Sequence, residues 1–230
     1  LVGLSLPLAL NLVYVFSILG SAVGAYLLSR DLFGPRAGMV AAVAYAYAPY
    51  QFLNALVRGN APESLALALF PFILWAFRRL ALRGDCWWFL VSVGLLAGLY
   101  LTHNISSLLF TPFLLAYLVV LWWAHRDRGE WRPVTLAFVL ALGVTAFFWF
   151  PALAEKGYVQ LYLTGATRNN DFHYNFLTFL EIFAPPEAVD TSLINPPLEI
   201  KLGLVQTVLA GAGLAIGLAF SAIGSDTATE

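Results

Sequence analysis

Charged residues are scarce in this 230-residue chain. Only 11% of it is Asp, Glu, Lys or Arg, against 60% hydrophobic and 15% aromatic residues, where a soluble domain carries about 25% charged residues. A soluble globular fold is thereby excluded, and the class is an integral membrane protein. Net charge is only -1, so no overall basic field points to nucleic acid. One cysteine, Cys86, rules out an internal disulfide and any multi-cysteine metal site. No Gly-rich phosphate loop, no Gly-x-Ser-x-Gly elbow and no His-Glu-x-x-His pair occurs, so the mechanisms of soluble enzymes find no support. An initiator methionine and a cleavable leader are also missing, and the chain stops in the polar run "GSDTATE". The expectation is an interior piece of a longer protein, a single polytopic domain over residues 1–230 truncated at both ends.

What is present is a series of apolar runs long enough to cross a hydrocarbon core about 30 Å thick. About seven are expected, over residues 7–29, 37–56, 64–77, 86–101, 105–124, 133–150 and 204–223. The third is short and extends to 61–82, its arginines snorkelling outward. The runs are continuous and do not alternate, so helices are predicted over barrel strands. The fold class is an all-α transmembrane bundle. Gly20 to Gly24 and Gly213 to Gly217 have the small-xxx-small spacing of close helix packing.

Arg30 and Arg36, then Arg78, Arg79 and Arg83, then Arg126, Arg128 and Arg132 fall in alternate short connections. The positive-inside rule assigns these to the cytoplasm. Three polar features are thereby expected on the extracytoplasmic face: the turn around Arg58 and Glu63, the His103-Asn104 turn, and the long loop 152–203.

In the first, Asn60-Ala-Pro-Glu63 reads as a helix start, with a cap residue, a proline in the first turn and a carboxylate reaching back to the Asn60 amide. Arg58 lies at the hydrocarbon boundary and needs an anion or water. It can pair with Glu63, snorkel to headgroups, or bind a lipid or sugar phosphate, for which its planar fork is suited. In "LTHNISSL", Asn104 is placed to cap the next helix, and His103 reads as either a hydrogen-bonded packing residue or a ligand on the face it shares with Arg58. Beyond Trp149 and Pro151 come Glu155 and Lys156. Further on, Phe172, Phe176, Phe179 and Phe183 recur at helical spacing, with Asp171, His173, Asn175 and Glu181 largely off that stripe. An amphipathic helix in the interface plane is expected there, either sealing the bundle or closing over a substrate.

The blocks "AYAYAPYQFLNALVRGNAPESLALALFPFILW", "LTHNISSLL", "FFWFPALAEKGYVQL" and "DFHYNFLTFLEIF" resemble, over residues 4–186, the membrane domain family called 6-pyruvoyl-tetrahydropterin synthase-related. That family looks like a branch of the type C glycosyltransferases, polytopic enzymes that use lipid-phosphate sugar donors. The pterin in the name does not carry over, because the histidine zinc site of a soluble pterin synthase has no counterpart here. The resemblance maps Tyr50, Arg58, Gly59, Glu63, His103, Asn104 and Glu155 onto positions where the family pattern is polar or small. Asn54 stands where an aspartate is expected and Leu56 where a tyrosine is expected. Type C enzymes place a catalytic acid in the first extracytoplasmic loop, upstream of this chain.

The implied function is transfer of a sugar from a polyprenyl-phosphate carrier to an extracytoplasmic acceptor, in the plasma membrane of a bacterium or archaeon. Tyr50, Arg58, Asn60, Glu63, His103, Asn104 and Glu155 would bind substrate, with no cofactor expected, a divalent metal unsupported, and the bilayer and the lipid-linked sugar as partners. A transporter or flippase of a lipid-linked substrate and a noncatalytic scaffold are the alternatives.

Overall fold

The computed structural model describes residues 3, 5–127, 129–160, 173, 176–184 and 201–226, with side chains as far as 216. Among these residues it is all helical. Helix α1 (Leu6–Phe33) is followed by α2 (Pro35–Ala46), α3 (Pro49–Phe52) and a π-helical turn (Leu53–Arg58). Then come α4 (Ala61–Arg83), α5 (Cys86–Thr102), α6 (Asn104–His125), α7 (Trp131–Val144), α8 (Ala146–Ala154), α9 (Phe179–Phe183) and α10 (Leu204–Asp226). Proline occupies the first or second position of α1, α2, α3 and α4, where its missing N–H has no intrahelical role.

Among the described residues three helices, α1, α4 and α6, are long and apolar enough to span a membrane, and α7 with α8 makes a fourth if the bent pair is one span. The bend is 63° and has a local cause. The Thr145 hydroxyl donates to the Ala141 carbonyl at 2.8 Å and the Trp149 indole donates to the Leu142 carbonyl at 3.0 Å. The last carbonyls of α7 are thus drawn to side chains, and the axis turns there.

Helices α1 and α4 run parallel and in register. A Cβ on Gly20 would meet Ala68, one on Gly24 would lie 2.8 Å from Pro71 Cγ, and Asp31 is paired with Arg79; each partner is about 48 residues further along. Gly24 is needed for this approach, since any side chain would push into Pro71 and Phe72. Lipid tails are as apolar as leucine, so such contact comes from close packing rather than expulsion of water. Of the second small-residue pair, Gly213 has open space around it, and the surroundings of Gly217 lie outside what is described.

Pro71 lies inside α4 and cannot donate to the Leu67 carbonyl. The Tyr45 hydroxyl of α2 takes that carbonyl instead, at 2.8 Å, because water is not there to do so. A second repair occurs where α2 breaks before Pro49. Ala44 and Tyr47 keep carbonyls that the interrupted helix does not use, and the Gln206 amide of α10 donates to them at 2.9 and 3.3 Å. Between α2 and α10 lies an apolar groove of about 690 Å³, lined by Met39, Val43, Tyr47, Pro49, Leu204 and Leu209 among others.

Helices α4 to α7 form an up-and-down bundle around Ile73, Phe77, Leu80, Leu96, Leu99 and Leu114, all fully buried. Phe70 stacks on Phe110 at 4.3 Å and Trp75 meets Trp88 edge-on at 4.8 Å. The Glu130 amide donates to the Ala81 carbonyl at 2.7 Å, which fixes the start of α7 to the end of α4. The bundle therefore has two ends. One carries the arginine-rich connections at Gly34, Gly84–Asp85 and 125–130. The other carries the start of α4, the α5–α6 turn and the bend into α8. Arg79 does not snorkel outward as expected: it grips the Asp31 carboxylate, which also accepts the Trp75 indole N–H at 2.7 Å.

Candidate functional site

At the second end the π-turn gathers a polar cluster. A π-helix widens the turn by one residue and is rare outside functional or strained positions. Here it ends at Gly59, whose φ of 61° is left-handed and costs a β-carbon-bearing residue about 1 kcal/mol or more. Both the Gly59 and Asn60 amides turn back to the Asn54 carbonyl. Asn60 then caps α4, its side-chain oxygen accepting the Glu63 amide at 3.2 Å.

Glu63 is the centre of the cluster. Its carboxylate, 11% exposed, accepts from Arg58 Nη1 at 2.7 Å, from the Asn60 side-chain amide at 2.9 Å, and from the Tyr50 hydroxyl. The reach back to the Asn60 backbone amide expected from the capping pattern is replaced by this bond to the side chain. Arg58 Nη1 also faces Tyr50 Oη at 2.7 Å and Asn54 Oδ1 at 3.2 Å. Three acceptors thus share two N–H bonds, while Nε and Nη2 have no partner among the described residues. Asn54 is fully buried, donating to Ser64 Oγ at 3.0 Å and to the Asn60 carbonyl at 3.3 Å. A neutral amide that both donates and accepts suits this position, and an aspartate would set two carboxylates side by side.

The turn between α5 and α6 lies at the same end. The cap of α6 is His103, not Asn104 as the sequence suggested. His103 has the extended backbone of a cap, and its Nδ1 accepts the Ser106 amide at 3.2 Å and meets Ser106 Oγ at 2.8 Å. The backbone could not offer Asn104 that role because residue 104 is already the first helical residue. With Nδ1 an acceptor, the proton of the neutral ring is on Nε2. Asn104 is exposed and its side chain makes no hydrogen bond among the described residues.

Glu155 follows α8 and is exposed, its amide bonded to the Pro151 carbonyl at 2.8 Å. No hydrogen bond or ion pair joins His103, Asn104 or Glu155 to the Arg58 cluster among the described residues. Tyr50, Arg58, Asn60 and Glu63 do come together, with Asn54 and Ser64 as members that the sequence reading did not place among the ligands. The spacing of four from Asn54 to Arg58 and from Asn60 to Ser64 carried that signal.

Of the expected interfacial helix, Asp171, Phe172 and Asn175 lie outside the described residues. The described part is α9, five residues opened by a capping box in which the Thr178 amide donates to Glu181 at 2.6 Å and Phe179 meets Phe183 edge-on. Hydrogen bonds from Thr178 hold the Glu181 carboxyl below its ordinary value of 4.5.

A sequence model of the family described as 6-pyruvoyl-tetrahydropterin synthase related domain, membrane protein, matches residues 4–187. The chain belongs to this family. The match covers α1 to α9 and contains every candidate residue named above. An uncharacterized protein of Lactococcus lactis subsp. cremoris (strain MG1363) is 24% identical over 148 residues, which is 63% of this chain and 24% of that relative's length. The chain therefore spans about a quarter of the curated relative it matches. No solved structure matches it significantly. The family label names a pterin enzyme, yet among the described residues no three His, Cys, Asp or Glu side chains come close enough to hold a metal ion.

Proposed function

We propose that this chain is part of a multi-pass membrane glycosyltransferase-like protein that binds a polyprenyl-phosphate sugar and passes the sugar to an extracytoplasmic acceptor. The observation that carries this reading is the half-committed guanidinium of Arg58. One nitrogen is locked to Tyr50, Asn54 and Glu63, which fixes the plane of the fork, and the other two are left for an anion at the end of the bundle.

A departing lipid phosphate gains negative charge as the glycosidic bond breaks. Arg58, already oriented, would stabilise that charge without reorganising. Glu63 positions Arg58. His103 would donate through Nε2, and Asn104 and Glu155 would reach the sugar or acceptor once the loop 152–203 closes over them. The carrier's apolar chain would lie along the apolar groove between α2 and α10. Deprotonation of the acceptor is assigned to a carboxylate outside this chain. On this reading seven segments cross the plasma membrane of a bacterium or archaeon, the arginine end faces the cytoplasm, and an interfacial helix covers the site.

The test is transfer from a polyprenyl-phosphate sugar by the full-length protein in liposomes. Arg58→Ala should lower kcat by tenfold or more while the protein stays folded. Wild-type transfer by that variant removes the reading. A second reading, a transporter of a lipid-linked substrate, draws on the break between α2 and α3, since interrupted spans mark transport sites. A cysteine at Gln51 labelled alternately from both sides would favour transport, and one reachable from a single side would favour interfacial transfer.

A further inference from the structure

Tyr14 is a polar residue of α1 that the Arg58 cluster does not use. It belongs to the stripe Tyr14, Ser17, Ser21 and Gly24, which recurs at helical spacing on one face of α1. The last three members of that stripe are buried against neighbouring helices. The opposite side of α1 carries Val15, Phe16, Leu19 and Val23, all exposed. Tyr14 is therefore turned toward the protein and is not part of an aromatic belt in the lipid. Its ring is half-buried, and its hydroxyl makes no hydrogen bond among the described residues.

Two contacts and a helix offset fix where that hydroxyl lies. Gln51 donates to Ser21 Oγ at 3.0 Å. From that bond α1 and the antiparallel run of α3 into the π-turn both lead about two turns toward the same end, to Tyr14 on one side and to Arg58 on the other. The offset of 48 residues between α1 and α4 gives the same level independently, setting Tyr14 beside Pro62, between the Asn60 cap and Glu63. At this level a Cβ on Gly59 would meet, apart from its chain neighbours, a single group within 4 Å, Tyr14 Oη at 3.9 Å. The phenol thus ends beside the residue that directly follows Arg58.

Arg58 keeps Nε and Nη2 for an anion, and this pair is the edge of the fork that fits two oxygens of one phosphate. Each of those oxygens retains a lone pair for a further donor. The other members of the cluster are already engaged: Tyr50 and Asn60 donate to Glu63, and Asn54 donates to Ser64 and to the Asn60 carbonyl. Among the described residues at this level, Tyr14 has the hydroxyl still free to donate.

We propose that Tyr14 is a second ligand-binding residue of the Arg58 site, donating its hydroxyl to the lipid phosphate that Arg58 grips. The assignment rests on the phosphate reading of Arg58 and adds α1 to the elements that recognise the headgroup.

Purified full-length protein in a neutral detergent is titrated with farnesyl phosphate and with farnesol, which has the same chain and no phosphate, and binding is followed by native mass spectrometry. The wild type should prefer the phosphate, and Arg58→Gln should remove that preference. Tyr14→Phe should weaken binding of farnesyl phosphate about tenfold, as loss of a charge-assisted bond does, and leave farnesol unchanged. Because the hydroxyl holds nothing within the described protein, this variant should unfold at the same SDS concentration as the wild type. Tyr26→Phe, which removes a hydroxyl from the far half of α1, should change neither affinity. If Tyr14→Phe keeps the full preference while Arg58→Gln loses it, the phosphate reading of Arg58 stands and the assignment of Tyr14 is overturned. Equal weakening of both probes by Tyr14→Phe overturns it as well, since a packing role touches both. If the wild type does not prefer the phosphate, or Arg58→Gln keeps the preference, the reading of Arg58 falls and takes that of Tyr14 with it.

Discussion

The Arg58 and Glu63 ion pair is unequal in burial, and its two halves should differ in what they contribute. The Glu63 side chain is 11% exposed and that of Arg58 is 30% exposed. Glu63→Ala removes the common acceptor of three donors, Arg58, Asn60 and Tyr50. Breaking a buried pair from one side costs about 3–5 kcal/mol, and the outlet of Arg58 toward the surface places this case at the low end, about 3 kcal/mol. Arg58→Ala leaves Glu63 with two donors, so its cost should be about 1–2 kcal/mol. The double variant should be no worse than Glu63→Ala alone, because without its carboxylate Arg58 has little left to stabilise; the coupling is then about 1–2 kcal/mol. SDS titration of the purified protein in mixed micelles, followed by circular dichroism, reads each value. If Arg58→Ala costs as much as Glu63→Ala, or the two effects simply add, the carboxylate is not the centre of the cluster.

Three further outcomes are expected. Gly24→Leu should destabilise by about 1–3 kcal/mol in the same titration, because its Cβ already lies 2.8 Å from Pro71, whereas Gly213→Leu, with open space around it, should change little. Tyr45→Phe should cost about 1–3 kcal/mol by orphaning the Leu67 carbonyl that Pro71 cannot serve, and Leu67 to Pro71 should then exchange or label faster. The Glu181 carboxyl has its pKa lowered by bonds from Thr178. The folded form therefore gains stability above the ordinary value of 4.5, and that gain disappears as pH falls through the lowered one; Thr178→Ala, which removes the hydroxyl bond and keeps that of the backbone amide, should weaken this acid dependence in proteolysis of the segment around α9.

The membrane class and most helix positions follow from runs of apolar residues, a signal that depends only on length. The start of α4 was also legible, because Asn60, Pro62 and Glu63 act through neighbours in the chain. The π-turn was not, since a widened turn has no periodicity of its own and is set by Asn54, which serves the Gly59 and Asn60 amides and the Ser64 hydroxyl together. Arg79 was read as a snorkelling charge because its partner, Asp31, lies 48 residues away. His103 displaced Asn104 as a cap for a reason the residue types could not reveal: both can accept an amide proton, and the choice rests on which residue takes the extended backbone. The kink at Thr145 likewise depends on Trp149, whose indole reaches back seven residues to the Leu142 carbonyl.

Helices α1 and α4 meet through glycines against a proline and an aromatic ring, with a charge clamp near one end. Shifting α4 by a single turn toward the C-terminus of α1 would drive Phe72 into Leu28, and a shift of a turn in either direction would pull Asp31 away from Arg79. Translation along their common axis is therefore blocked, and the pair can respond to load only by rocking about the point where Gly24 touches Pro71. A disturbance at Arg58 would then swing the far tips of both helices together, so that the two faces of the bilayer are joined by a lever and not by a piston.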